Sequence, residues 1–195
     1  MFDIVRRDGA ESFVATAAGS QLGKFLIGLG REHGVPCIAV VRRDALAAPL
    51  SAIGAGAVLA TGAPDFAERM RAAIAAHSPR ILLDAVGDQV SSDLFFAMPK
   101  RARWIVYGRL SPEPPKLEQM GQFIFREKRI EGFWLTTWLR DTPRERAAEV
   151  IADVQARFAD GRWRTDVTAT VPLGEAISRL PAEYGRKDGK VLLAP

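Results

Sequence analysis

Short apolar runs of strand length alternate with longer segments whose apolar residues recur every three to four positions. This alternation limits the fold more than any other feature of the chain. Cys37, Ile38, Ala39, Val40 and Val41 form an unbroken apolar run between Pro36 and Arg42, as a strand buried on both faces requires. Further runs lie at 57–60, 80–86 and 103–107, and 13–17 is a shorter one ending in small residues. Between them, Leu22, Phe25, Leu26 and Leu29 mark one face of a helix that stops near Gly34. A second helix is expected over 44–53, and Phe66, Met70 and Ile74 recur every four residues on a third. A short crossover helix is expected near 92–98, and a sixth strand over 130–135, after a proline-rich loop at 111–116.

Strand–helix alternation at this spacing implies a doubly wound α/β fold, a six-stranded parallel sheet with helices on both faces. Thr142, Pro143 and Glu145 read as an N-cap, a first-turn proline and a capping-box acid for one more helix. Its apolar stripe is Ala147, Val150, Ile151, Val154 and Phe158, and Gly161 closes it. The rhythm breaks after residue 165. Two β runs, 167–171 and 190–193, flank a small helix at 175–180, so the expected division is 1–165 and 166–195. No internal repeat is visible.

Composition excludes several classes. The 195 residues are 48% hydrophobic and 26% charged, enough for one domain with its own core and too apolar for disorder. No stretch approaches the roughly 18 apolar residues of a membrane span, and residues 1–13 lack the long apolar segment of a signal peptide. Cys37 is the single cysteine, which excludes an internal disulfide and a multi-cysteine zinc site and suggests a reducing, cytoplasmic setting. The net charge of +4 comes from bases spread along the chain, with acids interleaved. That pattern suits solvated faces and one anion site better than a nucleic-acid interface.

Ligands of a doubly wound sheet sit at the carboxyl ends of its strands, so the first strand-to-helix turn carries the chemistry. It reads Ala17, Ala18, Gly19, Ser20, Gln21, Leu22, Gly23. Set against the dinucleotide fingerprint G-x-G-x-x-G, Ala18, Ser20 and Gly23 occupy the glycine positions. Small residues would make the tight turn, Ser20 would stand where the chain approaches a pyrophosphate, and Gly23 would let the helix pack against the sheet. The alternative is a small-residue turn with no ligand.

Nineteen residues after Gly23 come Arg42, Arg43 and Asp44. A carboxylate there would bind the ribose hydroxyls of NAD(H), whereas arginines would meet a 2′-phosphate, which favours NADP(H). The alternative is a pair of solvated arginines, with Asp44 capping the next helix. Two other glycine patterns fail. Gly19 to Gly23–Lys24 is one residue short of a P-loop and Phe25 stands where Ser or Thr is needed; Gly28-x-Gly30 lies inside a helical stripe.

No catalytic constellation is visible. His33 and His77 fall near helix ends without an acid or nucleophile pattern. Tyr-x-x-x-Lys is missing, because Tyr107 is followed at +4 by Ser111 and Tyr184 by Asp188. Neither H-E-x-x-H nor a Cys/His cluster offers a metal site.

With these residues in order, the chain resembles the nucleotide-binding half of the medium-chain dehydrogenases/reductases, most nearly the zinc-free quinone oxidoreductase and 2-enoyl thioester reductase branch. The motifs are the 17–23 turn, Val40-Val41-Arg42-Arg43, Leu83-Asp84-Ala85-Val86-Gly87, Val106-Tyr107-Gly108, Gly132-Phe133-Trp134-Leu135 with Trp138, and Gly189-Lys190-Val191-Leu192-Leu193. The resemblance implies a Rossmann-type domain that binds NADP(H). Gly19, Ser20, Gln21 and Leu22 would line the pyrophosphate, and Arg42 and Arg43 the 2′-phosphate. Tyr107, Gly108, Phe133, Trp134 and Leu135 would lie along the nicotinamide ribose and ring, with Lys190 a last contact.

It further implies hydride transfer from NADPH to an activated C=C bond, and a homodimer joined through the sixth-strand edge. Asp88 stands where the family usually has a second glycine, a departure that would crowd the following helix start. The family's GroES-like substrate domain, which carries the proton donor, would precede this chain and is expected to be absent from it. The 166–195 strands would then lack their usual partners, leaving Val171, Leu173 and Leu192 to find other cover. The implied function is the cofactor domain of an enoyl or quinone reductase without its substrate domain, inactive alone; the alternative is a free-standing NADP(H)-binding or sensor module.

Overall fold

The structure, a computed structural model, describes residues 1–185 and 189–195; Asp188, four residues after Tyr184 in the sequence, lies outside them. The chain divides into two compact units, Met1–Trp138 and Leu139–Pro195; the expected boundary after residue 165 falls inside the second.

In the first unit, six strands form one parallel sheet. They are β1 (Phe13–Ala15), β2 (Cys37–Val41), β3 (Ala57–Ala60), β4 (Ile81–Asp84), β5 (Arg103–Val106) and β6 (Arg129–Gly132), in the order β3-β2-β1-β4-β5-β6. The order reverses between β1 and β4, where Phe13 pairs with Ile81 and Ala15 with Leu83. Helices α1 (Phe2–Arg7), α2 (Gln21–Glu32) and α3 (Ala47–Ala52) bury Phe2, Val5, Leu26, Ile27 and Leu50 on one face with Phe13, Cys37 and Ile105. On the other, α4 (Phe66–His77) and α5 (Gln89–Ala97) pack Met70, Ile74, Leu94 and Phe95 against Val14, Ile38 and Trp104. Phe13 and Val14 serve opposite faces because successive strand side chains alternate. Each fully buried side chain of this size contributes about 1.5–3 kcal/mol relative to exposure. The Rossmann-type sheet with helices on both faces is present as expected.

Several boundaries move. β1 ends at Ala15 rather than residue 17, because Ala17 turns into the left-handed region with φ of 47°. The expected 44–53 helix is a 3-10 turn, Asp44–Leu46, followed by α3. Helix α5 begins earlier than expected: Gly87 makes the left-handed turn (φ 70°) and Asp88 is the N-cap, accepting the Ser91 N–H at 3.0 Å. Asp88 therefore starts the helix rather than crowding it. A short helix, α6 (Gly121–Phe125), precedes the sixth strand, which stops at Gly132 instead of running to 135, and α7 (Leu135–Asp141) opens three residues later.

In the second unit, α8 (Arg144–Ala159) is capped by Pro143 with no side-chain bond, so Thr142 is not its N-cap. Proline lacks an N–H, and its extended ψ of 140° lets it sit one position outside the helix. Arg157 lies buried between Asp153, at 2.9 Å, and the ring of Trp163. Strands β7 (Val167–Pro172) and β8 (Lys190–Ala194) pair in parallel with each other, flanking α9 (Ala176–Gly185). Val171 is fully buried, but Leu173 and Leu192 remain 62% and 47% exposed, so the expected cover extends to one of the three.

Candidate functional site

The carboxyl edge of the sheet around β1 is built from the 16–23 turn. Thr16 N–H donates to the Leu83 carbonyl and Ala18 N–H to the Val40 carbonyl, so the chain leaving β1 is tied to both neighbouring strands. Ser20 is the N-cap of α2 and accepts the Gly23 N–H at 3.1 Å. Gly23 packs directly on the turn: a Cβ there would stand 2.5 Å from the Ala18 carbonyl oxygen. Ala18 is buried, Gly19 and Gln21 are half-buried, and Ser20 and Leu22 are exposed. The positive end of a twelve-residue helix thus opens at the centre of the sheet edge, the setting in which helix N-termini take anions.

Arg42 and Arg43, both exposed, follow β2 directly. They lie next along the edge, because a Cβ on Gly19 would come 2.7 Å from Leu46 Cδ1, just beyond them in the chain. On the other side, Gly108 approaches Ala85 so closely that a Cβ would meet its carbonyl oxygen at 2.9 Å. Leu110 and Ser111 donate N–H groups to Ala85 and Val86.

Tyr107 packs on the α2 face of the core with its Oη buried and without a hydrogen-bond partner among the described residues. Burial, then the nearby Asp84 and Cys37, push its phenol up to about 12. A buried hydroxyl left unpaired costs about 1–3 kcal/mol. Burial likewise pushes the Cys37 thiol up, making it a core side chain rather than a nucleophile.

The remaining expected residues divide. Phe133 continues the β5 ladder, donating its N–H to the Val106 carbonyl, and is half-buried against the same core as Tyr107. Trp134 is 68% exposed and Leu135 opens α7, so neither lies on the sixth strand. Lys190 begins β8 in the second unit, where its N–H donates to the Asp166 carbonyl.

Sequence reading missed the role of Asp84. It sits fully buried at the end of β4 and accepts hydrogen bonds from Thr16 and Ser91 hydroxyls, the Val86 and Gly87 amides and the Trp104 indole. A charged residue closing an otherwise apolar strand, Ile81-Leu82-Leu83-Asp84, was the available signal. No group of three or more His, Cys, Asp or Glu suited to a metal occurs among the described residues, and no helix among them is long and apolar enough to cross a membrane.

Strand order and the turn at the β1/β4 reversal define a doubly wound domain of the dinucleotide-binding type. No protein-family profile matches the chain. A solved Mesorhizobium loti protein described as an NADPH:quinone reductase is 51% identical, with a TM-score of 0.95 over 100% of this chain and 56% of its own. Bovine mitochondrial enoyl-[acyl-carrier-protein] reductase is 24% identical over 93% of this chain and 50% of its own. A variant of the Candida tropicalis 2-enoyl thioester reductase, solved with NADP and crotonyl-CoA, shares the fold at 20% identity. Its TM-score is 0.77, over 94% of this chain and 53% of its own. The chain spans about half the length of the curated relatives it matches. Its homologues thus lie among the enoyl thioester and NADPH:quinone reductases of the medium-chain dehydrogenase/reductase superfamily, each matched over about half of its length.

Proposed function

We propose that the chain is the NADP(H)-binding domain of a zinc-independent oxidoreductase that reduces an activated C=C bond, in an enoyl thioester or a quinone. The observation that carries this reading is the meeting, on one sheet edge, of the α2 N-terminus at Ser20 and the arginines at the end of β2. A pyrophosphate fits the first and a 2′-phosphate the second, through charge-assisted bonds that NAD(H) cannot form. The residues present suit such a ligand: Gly23 brings the helix onto the turn where a side chain could not fit. When bound, NADPH supplies the hydride. The chain's own residues bind and orient it, Gly19, Ser20, Gln21 and Leu22 at the phosphates and Tyr107, Gly108 and Phe133 towards the nicotinamide. Trp134 and Leu135 are proposed as further contacts.

The same reading takes residues 166–195 as the segment that completes a substrate domain, the molecule as a homodimer joined at β6, and its compartment as the reducing cytoplasm. The single, buried Cys37 supports the last. Calorimetry with NADPH and NADH tests the cofactor. NADPH is expected to bind at least about tenfold more tightly, the equivalent of one charge-assisted contact, and Arg42→Ala or Arg43→Ala should reduce that preference. Equal affinities for the two cofactors, or a preference untouched by both substitutions, would refute it.

A further inference from the structure

Asp84 is buried so completely that it can touch no ligand, yet it accepts five hydrogen bonds at the sheet edge. Oδ1 accepts from Thr16 Oγ1 at 2.5 Å, Ser91 Oγ at 2.9 Å and Val86 N at 2.9 Å; Oδ2 accepts from Trp104 Nε1 at 2.8 Å and Gly87 N at 3.1 Å. Thr16 Oγ1 in turn accepts the Ala85 N–H at 2.9 Å. One carboxylate thus joins the end of β1, the β4–α5 turn, the first turn of α5 and β5, across the point where the strand order reverses. Thr16 immediately precedes Ala17, the non-glycine residue held at φ 47°, and Ala18, on which Gly23 packs. A left-handed alanine persists only where its surroundings over-determine it. The bonds on Thr16, to Asp84, Ala85 and Leu83, supply that constraint at its N-terminal side.

We infer that Asp84 is a positioning residue for the dinucleotide: through Thr16 it fixes the turn whose amides meet the pyrophosphate, and through Gly87 it fixes the neighbouring β4–α5 turn. The inference rests on the proposed cofactor reading. It assigns the carboxylate an effect on affinity separable from its effect on stability, because a preformed turn binds without reorganising. A carboxylate accepts at both oxygens, whereas the amide of Asn would turn donors towards donors.

The test compares two probes by calorimetry on the full chain. NADPH spans the turn; adenosine 2′-monophosphate lacks the pyrophosphate and reaches only the arginine side. Asp84→Asn and Thr16→Val are expected to weaken NADPH about tenfold or more while leaving adenosine 2′-monophosphate within about twofold. Thr16→Ser keeps the hydroxyl and should restore NADPH binding. Should Asp84→Asn fail to fold, the Thr16→Val and Thr16→Ser pair decides alone. Undiminished NADPH binding by the folded variants, or equal loss of both probes, overturns the inference while leaving the cofactor reading intact. A wild-type chain that binds neither probe overturns the cofactor reading, and this inference with it.

Discussion

At the scale of single residues, two glycines of α2 have opposite roles, and one experiment separates them. Gly23→Ala would force a Cβ to 2.5 Å from a backbone oxygen that has no rotamer to yield, so a loss of about 2–3 kcal/mol in urea unfolding is expected. Gly28 has nothing within 4 Å of its would-be Cβ, and Gly28→Ala should stabilise by up to about 1 kcal/mol through helix propensity. Similar effects of the two substitutions would refute the contrast. Gly23 was legible in the sequence because its place in the fingerprint states a packing requirement. Asp84 was not, since its importance lies in donors contributed from Thr16, Ser91 and Trp104, far apart in sequence.

Lys128 was hidden for the same reason. In the sequence it is one of the bases spread along the chain, but it is buried, donating from Nζ to the Phe95 and Phe96 carbonyls at 2.7 and 2.9 Å, where it ties α5 to the start of β6. Burial, with Arg126 nearby, lowers it from 10.5 to about 8. Between those values the unfolded chain holds the proton and the folded chain does not, so this group's contribution to stability rises as pH increases from 8 towards 10.5. A neutral amine still has N–H groups for both carbonyls. Lys128→Met should therefore cost about 1–3 kcal/mol, and the deficit relative to wild type should widen from pH 8 to pH 10; a deficit that narrows would show the charged form to be the favoured one.

At the scale of elements, the interior strands were legible and the edge was not. Cys37–Val41 and Ala57–Ala60 announce themselves because a strand covered on both faces is continuously apolar. β6, Arg-Ile-Glu-Gly, has neither continuous apolarity nor clean alternation, and the more apolar Phe133, Trp134 and Leu135 drew the expected strand past its end. An ionic clamp adds to the backbone ladder that pairs β6 with β5. Arg103 on β5 donates from Nε and Nη2 to both oxygens of Glu131, each at 2.7 Å, and from Nη1 to Asp8 beyond α1 at 2.7 Å. The Arg103 bond holds the Glu131 carboxyl below its usual 4.5. The stabilisation is therefore present above 4.5 and lost as pH falls through the lowered value. In a partly exposed site the bridge contributes about 1 kcal/mol. Arg103→Met should lower stability by that amount at pH 7, and urea titrations should show the gap closing in acid; a gap independent of pH would place the contribution in packing.

At the scale of the whole molecule, the outer side of β6 is the surface on which the proposed dimer depends. Arg129 donates its N–H to Ala102 and Phe133 to Val106, so residues 129, 131 and 133 face β5. The alternation of a parallel strand then turns the backbone N–H and C=O of Ile130 and Gly132 away from the sheet. An edge left with such groups, and with Ile130 38% and Trp134 68% exposed beside it, is a template for another strand. In the proposed dimer, β6 of a second copy pairs there about a two-fold axis, extending the sheet across both protomers. Ile130→Pro tests this selectively: it deletes an outward donor while leaving the N–H groups of 129, 131 and 133 on β5. Sedimentation equilibrium should find the wild-type chain as a dimer and Ile130→Pro as a 21.3 kDa monomer with unchanged far-ultraviolet circular dichroism. A wild-type chain monomeric at every concentration, or a dimer indifferent to the proline, would put any self-association elsewhere on the molecule and leave the β6 edge as a short, charged strand protected by its own Arg129 and Glu131.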